Sequence, residues 1–134
     1  MATVELTEQN FENVVTGNGV VIVDFWASWC GPCKSFAPVF EAASNKHPDV
    51  VFGKVDTEAQ QGIAGHFAIR SIPTIMVFRD RVVLFSQAGA LPPDALDDVI
   101  AQAKALDMDR VREEIAAQER ERAAGEVQAA SKHA

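Results

Sequence analysis

The stretch Val20–Trp26, VVIVDFW, constrains the fold more than any other part of the chain. It is apolar almost without a break, so it does not alternate between a wet and a dry face. A strand of that kind is covered on both sides. A second run of the same type, VVFGKV, lies at Val50–Val55. Between them, Phe36, Val39, Phe40 and Ala43 recur at helical spacing, with Pro38 inside that helix and expected to kink it. Further on, Glu58–Phe67 reads as a short helix. Thr74–Phe78 and Val82–Ala88 read as two strands of a hairpin, joined by Arg79-Asp80-Arg81. Pro92-Pro93-Asp94 then opens a helix with Leu96, Val99, Ile100 and Ala103 on one face. Near the start, Thr7 is expected to cap a helix carrying Phe11, Val14 and Val15. Helix, strand, helix, strand, helix, hairpin, helix is the order of an α/β fold, with a central mixed sheet and helices on both faces.

The 134 residues suffice for one domain with a sizeable core. From about Asp107 the composition turns to Ala, Glu and Arg. The expected division is therefore a domain over residues 1–106 and an extension over 107–134, partly helical or disordered. Met108, Val111 and Ile115 give the extension a short apolar stripe, but no heptads are sustained. A formal charge of −7 argues against nucleic acid or an anionic membrane as a partner. No apolar run approaches the length of a membrane span. The opening MATVELTEQNFENV has neither a basic nor an apolar secretory region, so the expected location is cytoplasmic.

Both cysteines fall within WCGPCK, Trp29–Lys34. Three roles suit such a pair: a structural staple, half of a metal site, or a redox couple. A reducing cytoplasm disfavours the staple. Two cysteines fall short of a zinc site, and His47, His66 and His133 show no ligand spacing toward them, so no metal is expected. Position favours the third role. A strand ending at Trp26 and a helix following Pro32 put Cys30 at a helix N-terminus, where unpaired N–H groups stabilise a thiolate. Cys33 falls one turn later. Cys30 is expected to be the exposed nucleophile and Cys33 the more buried, resolving thiol. Asp24 interrupts VVIVDFW, where an ionised carboxylate is costly to bury. The bland account is a strand-end acid that escapes to water. The functional one is a buried proton relay for Cys33, with Lys54 on the next strand as its partner.

These residues resemble the thioredoxin family. The stretches that carry the resemblance are VDFWASWCGPCK, Pro38, the KVD at Lys54, IRSIPTIMVF, and AGAL around Gly89, in the family's order and spacing over about residues 3–106. The resemblance implies a thioredoxin fold. It also implies a Cys30–Cys33 pair cycling between disulfide and dithiol with no bound cofactor. Asp24 and Lys54 are implied to manage protons, and Ile72-Pro73 to be a cis bond facing the cysteines. Trp29, Gly31, Pro32, Ile72, Pro73, Gly89 and Ala90 would form the surface on which client chains dock. Gly31-Pro32 is similar to the dipeptide of reducing members, whereas oxidising relatives carry histidine there. The implied activity is protein-disulfide reductase, an electron donor to disulfide-bearing client proteins, re-reduced by a flavoprotein of the thioredoxin-reductase type.

Departures from the family pattern are Arg81 where the hairpin turn often has glycine, and Pro92 where the last helix often has Ser or Thr. Val82-Val83-Leu84-Phe85 is apolar on both faces of an expected edge strand, which invites association. The protein is expected to be a monomer, with a contact made by the extension as the exception. The alternative function is a protein-binding, chaperone-type module that uses the apolar face and the tail, with redox incidental.

Overall fold

In the computed structural model, which describes residues 2–17 and 19–132, the chain opens with a short strand, β1 (Thr3–Glu5). Sequence patterning places no strand there. Three residues are too few to show alternation, and β1 exists by parallel pairing with a distant strand. Helix α1 (Phe11–Gly17) follows, starting later than a cap at Thr7 requires. Asn10 stands at the boundary instead, and its carbonyl accepts the Val14 N–H at 3.0 Å. Its side chain accepts the Thr7 N–H at 2.7 Å and donates to the Glu5 carbonyl at 3.0 Å. His133, which shows no ligand spacing toward the cysteines, lies outside the described residues.

Next come β2 (Val20–Trp26), α2 (Gly31–Lys46) and β3 (Val51–Asp56), then α3 (Gln61–His66), β4 (Thr74–Arg79), β5 (Val82–Ala88) and α4 (Pro93–Ala105). The strands form one sheet in the order β1-β3-β2-β4-β5. β2 lies at its centre, parallel to β3 and antiparallel to β4. Its first six residues are buried, as an unbroken apolar run requires. One face packs Ile22, Phe52, Ile75 and Val77 against Phe36 and Phe40 of α2 and Leu96 and Ile100 of α4. The other packs Val21, Val23, Phe25 and Met76 beside Val15 of α1 and Ile63 of α3. Helix α2 runs through Pro38 as one element of 16 residues. Helix α3 is shorter than its spacing suggests, because Asp56 Oδ1 accepts the N–H groups of Glu58 and Ala59 at 3.0 and 3.3 Å and holds them in a turn.

Three local features follow from sterics. Gly53 in β3 is where Leu6 presses onto the strand, and a Cβ there would collide with the Leu6 side chain. The doubly apolar VVLF has a simple cause. The β4–β5 register slips between Val77 and Phe78, so that Phe85 opposes Val77 while Val83 opposes Phe78. Leu84 is the extra residue of a bulge. It packs with Phe85 against the α2/α4 core, while Val83 stays 44% exposed. At the turn, Asp80 and Arg81 both have positive φ, 52° and 70°. Tight hairpin turns ask for that conformation, and asparagine, aspartate and glycine tolerate it better than arginine does.

The chain divides into two compact units, Met1–Lys104 and Ala105–Ala134. In the second, α5 spans Met108–Lys132. Asp107 Oδ1 accepts the N–H groups of Asp109 and Arg110 at 3.1 and 3.3 Å, a side-chain cap at the helix start. Arg110 pairs with Glu114 one turn on. Ala, Glu, Gln and Arg are strong helix formers, which carries the helix past Ile115, where the apolar spacing stops. Among the described residues no helix is long and apolar enough to cross a membrane.

Arg81→Gly is expected to stabilise the protein by about 1 kcal/mol and to raise its melting temperature by several degrees, read by thermal circular dichroism. An unchanged or lower value would show that the Arg81 side chain offsets the backbone strain.

Candidate active site

The end of β2 and the start of α2 build the reactive group. The chain leaves the sheet after Trp26, and the Cys30 N–H donates to the Ala27 carbonyl at 3.2 Å, forming the turn between them. Cys30 is the N-cap of α2, in extended conformation, with Pro32 in the first turn. Cys33 donates its backbone N–H to Cys30 Sγ at 3.2 Å. The sulfur therefore takes the place that a serine or aspartate oxygen fills in an ordinary cap. The two cysteines are joined as a disulfide, with Cα atoms 5.2 Å apart. Among the described residues no cluster of three metal-ligating groups occurs.

Exposure does not distinguish the cysteines in the way expected. Cys30 is 4% exposed and Cys33 3%. Both are enclosed with Ala27, and Trp26 and Ile72 pack against them. What separates them is position: Cys30 Sγ accepts from the helix terminus, while Cys33 lies within the first turn.

A second chain segment covers the disulfide. The Ile72-Pro73 peptide is cis, and the Ile72 carbonyl oxygen lies 3.6 Å from Cys30 Sγ. Gly89 has φ +98°, a conformation that suits glycine, and donates its N–H to the Pro73 carbonyl at 2.8 Å. That bond brings Gly89 and Ala90 alongside the Ile72-Pro73 segment. Trp29, Gly31, Pro32, Gly89 and Ala90 are exposed, Ile72 is half-buried, and Pro73 is buried. Pro73 thus underlies the face rather than contributing surface to it. Trp29 is 66% exposed, which excludes an ordinary core role. Its indole N–H donates to the Glu58 carboxylate. Sequence reasoning missed Glu58, because an acid just after a strand looks like any solvated turn residue.

Asp24 is fully buried on β2, directly opposite Lys54 on β3. Neither carboxylate oxygen has a hydrogen bond from the protein. The two residues are therefore neighbours without being a closed ion pair, and the Lys54 ammonium sits over the Trp26 ring, 4.9 Å from its centroid. Burial pushes the Asp24 carboxyl up from 3.8 to about 7, with the positive charge of Lys54 pulling the other way. An acid that titrates near neutrality can both take and return a proton at physiological pH.

Comparison with known proteins agrees with this geometry. Residues 2–102 match the family model for thioredoxin. The chain belongs to the thioredoxin family. It is 58% identical over 118 residues to "Putative thioredoxin 2" of Streptomyces coelicolor, covering 88% of each chain. It is 41% identical over 101 residues to the thioredoxin of Bacillus subtilis, covering 75% of this chain and 96% of that one. Among solved structures, a mutant thioredoxin from Halobacterium salinarum superimposes with a TM-score of 0.72 at 31% identity, covering 78% of this chain and 93% of that one. The Malassezia sympodialis thioredoxin does so at 0.70 and 38%, covering 78% and 94%. Family membership and a cysteine pair closed as a disulfide make this protein a thiol–disulfide oxidoreductase of the protein-disulfide reductase type. They support that activity over the redox-incidental binding module. As in thioredoxins generally, the redox group is the cysteine pair itself.

The raised pKa of Asp24 has a consequence for stability. Between pH 3.8 and about 7 the folded carboxyl holds a proton that the unfolded one has lost. Stability therefore falls as pH rises through that window, and the cost is complete above it. The shift corresponds to a few kcal/mol, of order 4. Asp24→Asn is expected to gain a few kcal/mol over wild type near pH 8 and only about 1 kcal/mol near pH 4.5, measured by urea unfolding. A gain of the same size at both pH values would refute the raised pKa.

Proposed function

We propose that the protein reduces disulfides in client proteins by two successive exchanges. The Cys30 thiolate, held at the helix N-terminus, attacks one sulfur of a client disulfide. A Cys30–client disulfide forms, and the client's other sulfur leaves as a thiolate that takes up a proton. Asp24, in its ionised form, then accepts the Cys33 proton, and the Cys33 thiolate attacks Cys30 Sγ. The client's second sulfur leaves as a thiolate and takes up the proton that Asp24 holds, so the client departs as a dithiol and Cys30 and Cys33 are left as a disulfide. Two electrons from a flavoprotein reductase restore the dithiol. Lys54 tunes Asp24 by its charge, and Gly31-Pro32 keeps the pair on the reducing side.

The observation that carries this reading is the Cys33 N–H donated to Cys30 Sγ at 3.2 Å. A hydrogen bond to the charged form would favour thiolate at Cys30, which supports its reading as the attacking sulfur. The Ile72 carbonyl, 3.6 Å from the same sulfur, offers an acceptor to an extended client chain arriving over Trp29, Gly31, Pro32, Ile72, Gly89 and Ala90. Work as a reductant suits the cytoplasm, where glutathione and thioredoxin systems keep thiols reduced. We further propose that residues 1–106 form the working domain and 107–134 an extension that is dispensable for exchange.

Cys30→Ser is expected to abolish insulin reduction, and Cys33→Ser to accumulate mixed disulfides that resist resolution. Asp24→Asn should slow exchange above neutrality. Full turnover by either cysteine variant would refute the assignment, and an unchanged rate across pH would remove Asp24 from the relay. Truncation after Leu106 should leave insulin reduction at the wild-type rate. A substantial loss would make the extension part of the working unit.

A further inference from the structure

The buried acid and its lysine are neighbours in register, yet the lysine's ammonium points elsewhere. Trp26 lies two residues beyond Asp24 on β2, so both side chains emerge on the same face of the sheet. Lys54 lies opposite Asp24, and Asp56 lies opposite Trp26. Lys54 Nζ sits 4.9 Å from the centroid of the Trp26 ring, while both Asp24 oxygens have no hydrogen bond from the protein. On the far side of Lys54, in the same row, is Glu5 of β1. Glu5, Lys54, Trp26 and Asp56 line one cleft of about 420 Å³. The lysine thus has three carboxylates within its neighbourhood. Two of them, exposed Glu5 and half-buried Asp56, are more accessible to water than Asp24. A free ammonium would favour those hydrated partners over a fully buried one.

We propose that Trp26 is a positioning residue of the proton relay, whose indole face holds the Lys54 ammonium beside Asp24 and away from Glu5 and Asp56. An aromatic face attracts a cation without taking up its charge. The charge therefore stays close enough to be felt by Asp24 without closing into an ion pair that would fix the carboxyl in its ionised form. Trp26 also packs against the cluster of Ala27, Cys30 and Cys33, so the same residue borders the cysteine pair and holds the group that tunes Asp24. Lys54 is the charge that acts on the Asp24 carboxyl. The neighbour of Asp24 on β4 is Ile75. The buried residues of α2 are Cys33, Phe36, Phe40, Ala43 and Ser44, and those of α4 are Leu96, Ile100 and Ala103.

The inference rests on Asp24 as the relay, and the test separates the two. The Asp24 carboxyl carbon is followed by NMR against pH in the oxidised full-length protein. The variants are Trp26→Phe, Trp26→Leu, Lys54→Met and Lys54→Met combined with each Trp26 change. Removing the ring in Trp26→Leu should raise the Asp24 midpoint by about one unit, in the same direction as Lys54→Met, with Trp26→Phe in between. In the Lys54→Met background the Trp26 changes should add nothing. An unchanged midpoint in Trp26→Leu, a lowered one, or an equal shift without Lys54 would overturn the proposal. If Trp26→Leu does not fold, the smaller shift of Trp26→Phe and its loss without Lys54 decide the matter. The exchange-rate profile of the same variants tests the relay itself. A midpoint that moves while the profile stays fixed would dismiss Asp24 from exchange and leave the hold of Trp26 on Lys54 standing.

Discussion

Everything in this protein hangs on the burial of β2 from both sides. A strand at the centre of a mixed sheet pairs along both edges, so β3 and β4 are placed by its hydrogen bonds. Two helical layers then close over it. The strand ends where the sheet ends, and the chain must turn into α2 there, which delivers Cys30 to a helix terminus without any dedicated device. The antiparallel partner β4 begins on the same side of the sheet. Its approach through Ile72-Pro73 therefore crosses the helix terminus and sets the Ile72 carbonyl against the sulfur. The reactive group and the Ile72-Pro73 segment meet because one strand has one end.

The same strand carries a group that opposes the fold. A buried Phe or Ile contributes about 1.5–3 kcal/mol, so the ionised Asp24 cancels the gain from one or two such side chains at alkaline pH. β2 can carry this because its other buried positions, Val20 to Val23 and Phe25, are uniformly apolar. The acid is tolerated in the best-packed part of the molecule, and only there is its proton held tightly enough to matter at neutral pH. A solvated strand end would leave it an ordinary carboxylate.

Much of this was legible in the chain and some was not, for physical reasons. Continuous apolar runs and helical spacing are written locally, so β2, β3, α2 and α4 could be read directly. WCGPCK at a strand-to-helix junction marked the site. β1 could not be read, because its three residues are strand only by virtue of β3. The bulge at Leu84 was visible only as an anomaly, an edge strand apolar on both faces. Burial of Cys30 was hidden because it comes from Ile72, 42 positions away. The Glu58 bond to Trp29 and the stacking of Lys54 on Trp26 join groups whose spacing carries no periodic signal, and neither could be found before the fold brought them together.

The placement of the aromatic residues has an optical consequence. The chain has no tyrosine and two tryptophans. Trp26 packs against the cysteine cluster, and Trp29 is the residue just before Cys30. Both indoles of the chain are thus close to the disulfide in space or in sequence. Light emitted on excitation at the long-wavelength edge of the indole band comes from the working site alone, with no background from the rest of the fold. The protein carries its own gauge of oxidation state and occupancy, and no label has to be added to read it.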